Sequence, residues 1–161
     1  MTGTPTTPKR LTIIDRIVTV LTAITVGTDY FVTPTLVTKR TLADTEIVTF
    51  PVYMVQDGAE AGPPENYSNQ NYCEVMTVSI KGVVDAPDGN SVDNVEKSIR
   101  DVRRAIMQDT LPAAGSGSLG SLGVLVFMGA VRTDSGLYGL DGFGTFELEI
   151  QARFYGSWAD L

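Results

Sequence analysis

From Phe146 to Tyr155 apolar and polar residues alternate without a break, with Phe146, Leu148, Ile150, Ala152 and Phe154 set against Glu147, Glu149, Gln151, Arg153 and Tyr155. A period of two sends successive side chains to opposite faces of a strand, whereas a helix would scatter both sets around its circumference. This segment is therefore a strand with one face in a core and the other toward water. Tyr72 to Val84 repeats the pattern, with Cys73, Val75, Thr77, Ser79 and Lys81 on one side and Glu74, Met76, Val78, Ile80 and Gly82 on the other. The second set is mostly apolar and is assigned to the core. Two long half-buried strands need a common layer to cover them, and the rest of the chain must supply it.

Two stretches have the right period for that layer. Thr7-Pro8 offers a cap followed by proline at a first helical position, and Leu11, Ile14, Ile17 or Val18, Leu21 and Ile24 recur at helical spacing up to Gly27. Its many β-branched residues have modest helix propensity, so tertiary packing must hold it. The second helix is announced by Asp88-Gly89-Asn90-Ser91 and carries Val92, Val95, Ile99, Val102 and Ile106, with a stop expected near Asp109 because Pro112 bars its predecessor from helical geometry. Glu96 with Arg100 and Lys97 with Asp101 stand four apart and are expected as pairs on its wet face.

Further strands are expected at 36–40, at 46–55, where Pro51 must lie at an edge, an end or a bulge, and at 123–128, read as a short buried strand. Between them lie a long polar loop from Asp57 to Asn71, a flexible 113–118 connector and a glycine-rich turn region from Asp134 to Gly144. The expected fold is α+β, a mainly antiparallel sheet packed against two amphipathic helices. Residues 1–7, all Thr, Gly and Pro after Met1, read as a flexible arm, and 8–161 as a single domain.

Composition then removes most chemistry. The 161 residues include no His and one Cys, so neither a His/Cys zinc site, nor a Ser-His-Asp or Cys-His nucleophile, nor an intrachain disulfide can be built. Cys73, inside a strand, reads as a small buried hydrophobe. Twelve Lys and Arg against 19 Asp and Glu give a net charge of -7, the wrong sign for tight nucleic-acid binding. No stretch is long and apolar enough for a transmembrane helix and no secretory start is seen, so a soluble protein folded inside the cell is expected. No metal and no organic cofactor is expected. Charged residues make up only 19% of the chain, below the usual ~25%, which hints at surface buried against other subunits.

The motifs present have plain readings. Gly115-Ser116-Gly117-Ser118-Leu119-Gly120 matches G-x-G-x-x-G, but it follows a helix and precedes a strand, the reverse of the order that sets a phosphate on a helix N-terminus. The Gly136 to Gly144 run lacks a following Lys-Ser/Thr and reads as hairpin turns. Glu147 and Glu149 are an acid pair by spacing, but alternation puts them on the solvated face. An enzyme would need Glu147, Glu149, Asp134 or Asp141 to converge in a cleft. What stands out is apolar and aromatic content in or beside loops, namely Tyr67, Tyr72, Leu137, Tyr138, Leu140 and Phe143. Such residues anchor subunit interfaces at low entropic cost, or fold back as a satellite core.

The order of pieces resembles the tail terminator, or tail completion, proteins of long-tailed bacteriophages, the family of minor tail protein U. The resemblance runs through the N-terminal helix, Thr38-Lys39-Arg40, Phe50-Pro51-Val52-Tyr53, Gln56-Asp57-Gly58-Ala59-Glu60 and Val75-Met76-Thr77-Val78-Ser79-Ile80-Lys81-Gly82. It continues with Ala105-Ile106-Met107-Gln108-Asp109-Thr110-Leu111 and the closing Phe146 to Phe154 strand. It implies a virion structural protein at the head-proximal end of the tail, made in the host cytoplasm. It further implies a homo-oligomeric, hexameric ring that caps the tail tube protein, meets the head-tail connector protein and lets DNA through its lumen. The six loop residues above are then candidates for the subunit or tube interface. The segment from Pro112 to Ser121 has no counterpart in that pattern. Other readings are another head-to-tail joining or tail tube subunit and, in a different class, a small ligand- or carbohydrate-binding module.

Overall fold

The computed structural model describes residues 7–27, 29–60, 65–66, 68–85, 91–111, 115, 117–134 and 142–158. In chain order the elements are α1 (Lys9–Thr22), β1 (Leu36–Thr38), a 3-10 turn (Asp44–Glu46), β2 (Val52–Glu60), β3 (Glu65–Asn66), β4 (Asn71–Asp85), α2 (Ser91–Asp109), β5 (Leu125–Asp134) and β6 (Phe143–Ser157). The strands form one sheet in the order β1-β2-β4-β6-β5, with the two-residue β3 paired to the start of β4. Every pairing is antiparallel except β1 with β2. This is the α+β architecture expected from the alternation and the two amphipathic helices.

Its axis is the β4–β6 ladder, which runs unbroken from Asn71↔Ser157 to Asp85↔Phe143. Met76, Val78 and Ile80 of β4 and Phe146, Leu148, Ile150, Ala152 and Phe154 of β6 all point to one side and are buried. Tyr53 and Val55 of β2 share that side. Both helices cover it, α1 over β1 and β2 and α2 over β4 and β6. They bring Ile13, Ile17 and Leu21, and Val95, Ile99, Val102 and Ile106, into one continuous core.

Two glycines in this ladder are there for space. Gly82 is the cross-strand partner of Phe146 and Gly156 of Tyr72. In each pair the aromatic ring lies across the glycine, so that an added Cβ would fall inside the ring's van der Waals envelope. Ring-over-glycine pairs of this kind fill the gap that a missing side chain leaves in a strand.

Ionic side chains fasten the helices to the sheet and to each other. Glu74, on the core side of β4 and nearly buried, receives Arg10 of α1, which also donates to Asp57 of β2 at 2.9 Å. Asp109, the last residue of α2, takes two bonds from Arg16 of α1, at 2.5 and 3.0 Å, and one from the Leu119 N–H at 2.9 Å. Burial alone would push the Asp109 carboxyl up, but the Arg16 guanidinium and the Leu119 N–H together hold it below the usual carboxylate value.

Several expectations are corrected by tertiary context. Helix α1 starts one residue later than Thr7-Pro8 suggests, with Pro8 itself as the cap, and stops at Thr22 rather than near Gly27. The apolar face read from the spacing is buried at Ile14, Ile17, Leu21 and Ile24, but its first member is Ile13, fully buried, rather than Leu11, which is 40% exposed. Lys97 and Asp101 do not pair on a wet face. Asp101 is fully buried and accepts the N–H groups of Phe31 and Val32 at 2.6 and 3.0 Å, clipping the α1–β1 connection onto α2. Arg100 turns to Asp101, to the Asp29 carbonyl and to the Phe31 ring rather than to Glu96.

The loop expected from Asp57 to Asn71 is shorter, because β2 runs on to Glu60 and β3 intervenes. Pro51 sits just before β2, at an end as required. Ser118, the last residue of the connector read as flexible, and Leu119 after it are fully buried in a turn that the Asp109 side chain and carbonyl hold to the end of α2. The strand at 123–128 is neither short nor buried. It is the ten-residue edge strand β5, and its outer side chains Leu125 and Phe127 stand in solvent. Residues 1–6 of the expected arm and most of the glycine-rich region from Asp134 to Gly144 lie outside the described residues.

Two measurements test this account. Gly82→Ala must displace the buried Phe146 ring, and overpacking of this kind costs about 1–3 kcal/mol, which a lowered midpoint in chemical or thermal unfolding reads directly. Because the Asp109 carboxyl is depressed in the folded state, its bonds stabilise the fold above the ordinary carboxylate value and are lost as pH falls through the depressed one. Asp109→Asn should therefore lower stability at neutral pH and flatten its decline on acidification, as followed by denaturant titrations at stepped pH.

Candidate functional site

The helices cover one face of the sheet only. On the other, β4 and β6 present the cross-strand pairs Cys73/Tyr155, Val75/Arg153, Thr77/Gln151, Ser79/Glu149 and Lys81/Glu147. These polar pairs are what the outward half of each alternating strand dictates. Ser79 donates to Glu147 at 2.7 Å, the Lys81 ammonium lies 4.0 Å from the same carboxylate, and Arg153 donates to the Cys73 sulfur at 3.2 Å. Toward β1 the face is roofed by a small second cluster in which Leu42 packs on Val52 and Met54, with Ile47 and Val83 at its margin. Toward β5, among the described residues, no such roof is seen, and Leu125 and Phe127 are exposed.

A shallow hollow of about 380 Å³ lies on this face among Met54, Lys81, Val83, Arg132, Thr145 and Glu147. A second, of about 370 Å³, lies between the helices and is lined by Arg16, Val20, Ile24, Tyr30, Gln108 and Asp109. In the second hollow the polar groups already satisfy one another, Arg16 with Asp109 and the Tyr30 hydroxyl with Gln108 at 2.8 Å. Among the described residues no three His, Cys, Asp or Glu side chains gather to hold a metal ion. Tyr53, a possible acid or base by residue type, is sealed in the core, where burial pushes its phenol up to about 12. No described helix is long and apolar enough to cross a membrane.

The six loop and near-loop residues singled out from the sequence separate. Tyr67, Leu137, Tyr138 and Leu140 lie outside the described residues. Tyr72 belongs to β4, is 4% exposed, and packs at a tilt against Trp158 with 5.1 Å between ring centres, so its ring is used inside the subunit rather than against a partner. Phe143 opens β6, half-buried, with its ring 4.8 Å from that of Phe50. Glu147 and Glu149 sit on the open face as alternation requires, and among the described residues neither belongs to a cluster of three carboxylates or thiols.

Sequence reasoning missed the residues that most distinguish this surface. Leu125 and Phe127 are 55% and 53% exposed on the same face as Arg153 and Gln151, their cross-strand partners. Tyr155 is partly exposed beside them, with the Arg153 guanidinium near its ring. The apolar run Val124 to Met128 carries no sign in its own composition that it is an edge, because edge position is a property of strand order. Its partner strand did carry a signal, since Gln151 and Arg153 are polar and must face the same side as whatever pairs with them.

No protein-family model matches the chain, and no curated protein matches it.

The division between core and surface is checked by two truncations. Tyr72→Ala should cost about 3–5 kcal/mol, as removal of a large buried ring does. Leu125→Ser should stay within about 0.5 kcal/mol in the dilute monomer, where nothing covers it. Equal losses in the two variants would show that Leu125 is core.

Proposed function

We propose that this chain is a virion structural protein without catalytic activity, a tail terminator whose copies close into a ring on the tail tube and meet the head connector. The observation that carries the reading is the one-sided architecture. Two helices cover a single face of the sheet, and the other face is left with exposed Leu125, Phe127 and Tyr155 beside a row of polar pairs. Monomeric proteins rarely leave contiguous apolar surface next to a bare strand edge, and those that do use it for contact. A net charge of -7 suits a ring that DNA must traverse without sticking, because like charge repels phosphate. The low charged fraction fits a subunit whose surface is largely shared with neighbours. The order of elements has the resemblance to tail terminators described above, and another head-to-tail joining or tube subunit would share these features.

The hollow beside Lys81 and Arg132 favours one second reading, a module that binds a small anionic or carbohydrate ligand. It is of a volume such sites have, but it is shallow and offers few converging polar groups.

Native mass spectrometry and light scattering of the purified chain test the ring. Closed oligomers of a single size, alone or once tail tubes are added, are expected; a 17.3 kDa monomer under both conditions overturns the reading. Tyr138→Ser with Leu137→Ser should weaken oligomerisation or tube capping and leave the unfolding midpoint unchanged. Normal assembly with a lowered midpoint would make these residues core.

A further inference from the structure

We infer that the first half of β5 is a self-complementary edge that pairs with β5 of a second copy about a twofold axis, extending the sheet antiparallel across two subunits. The contact is isologous and draws on the same exposed residues as the ring reading, but it goes beyond that reading and needs no ring to form, so either can fail without the other.

Three observations carry it. The edge is undefended. Natural edge strands are blunted by lysine, proline, inward charge or an early bulge. From Val124, just before β5, to Met128 the chain has none of these, and among the described residues no strand pairs with the outer side of β5. Its one irregularity against β6 comes after this stretch, between Met128 and Val131, where Gly129 lies so close to the Glu149 backbone that a side chain would not fit. The bulge thus bounds a short flat segment rather than disrupting it.

The segment also fits itself. An antiparallel pairing that keeps the open faces of both subunits on one side must join residues of like orientation. Centring the axis on Val126 sets Leu125 against Phe127 of the second copy, and Phe127 against its Leu125. The two exposed large apolar side chains of the strand then cover each other twice. On the helix side Val126 meets its own symmetry mate, beside the partly buried Met128.

Finally, the alternative partner within the chain is poorer. The opposite edge, β1, spans only Leu36–Thr38, has one exposed apolar side chain, Leu36, and is followed directly by Lys39 and Arg40. A β5-to-β1 contact would form no more than three pairs, with Leu36 as the one large apolar side chain of β1 to meet Leu125 or Phe127. Four side chains and a five-residue ladder are less than a permanent dimer buries, so the paired state is concentration-dependent.

Cysteine cross-linking reads the register. Cys73 is buried, so the unmodified chain serves as the control. Under mild oxidation a mixture of Leu125→Cys and Phe127→Cys chains should give disulfide-linked dimers far in excess of either variant alone, and Val126→Cys should cross-link to itself. Phe127→Lys should shift the sedimenting species from dimer to monomer with no change in the thermal midpoint. The pairing is overturned if the 125/127 mixture yields no more dimer than its components, if Leu36→Cys with Phe127→Cys cross-links instead, or if Phe127→Lys dimerises like the parent. A closed ring formed without the 125/127 link would overturn this pairing and leave the terminator reading intact. A linked dimer that never forms rings, with or without tubes, would do the reverse.

Discussion

Everything in this subunit is hung on the β4–β6 ladder. Fifteen consecutive antiparallel pairs, Asn71↔Ser157 to Asp85↔Phe143, fix which side of every other strand is core, because a slip of one residue would turn Met76, Val78 and Ile80, or Phe146, Leu148 and Ile150, out to water. The register is also locked sterically. Gly82 can face only a flat ring that lies over it, and Phe146 supplies that ring; Gly156 and Tyr72 do the same at the far end. Displacing the pairing would put a side chain under each ring and leave each glycine opposite a gap. Apolar alternation thus chooses the faces, and the two glycine–aromatic pairs choose the register.

A ladder with one apolar face needs a cover, and how the cover is held explains the placing of charge. Carboxylates on the side of the helices or at their ends meet partners from other elements, among them Glu74 and Asp57 with Arg10, Asp109 with Arg16 and the Leu119 N–H, and Asp101 with two backbone N–H groups of the α1–β1 connection. A buried carboxylate without such bonds would cost more than any packing around it returns, so Glu74, Asp101 and Asp109, the buried three, each mark a place where the chain can dock in one way only. The hydrophobic layer is tolerant of sliding. These contacts are not, and they set α1 and α2 at one position over the sheet.

The parts of this arrangement legible in the sequence were those decided by local periodicity. Strands β4 and β6 and helix α2 follow from steps of two and of three or four residues, and the outward position of Glu147 and Glu149 came with them. What periodicity misses is decided at a distance. Asp101 looks like a solvent residue beside Lys97, yet with Ser98 and Ala105 it forms a small-residue stripe at spacings of three and four that lies against another part of the fold. Ser118 and Leu119 look like linker until Asp109, ten residues earlier, folds the turn back on α2. For the candidate surface the loss was greater. Leu125 and Phe127 read as core because an apolar run is the same in an edge strand as in a central one, and only the strand order β1-β2-β4-β6-β5 exposes them. Tyr72 read as a loop aromatic and is instead the lid over Gly156.

Net charge and exposed apolar surface pull in opposite directions on such a subunit, and their ranges decide which acts when. Copies carrying -7 repel one another at distances set by the ionic atmosphere, about 8 Å at physiological salt. Backbone ladders and cross-strand packing act only at contact. The acidic field therefore governs how often two copies meet, and the bare edge of β5 governs how long they stay. The segment that does the holding, Val124 to Met128, is itself uncharged, and the nearest charge on the open face, Arg153, is cationic. The edge is thus a stretch of strand where copies of an acidic chain can approach closely without setting carboxylate against carboxylate.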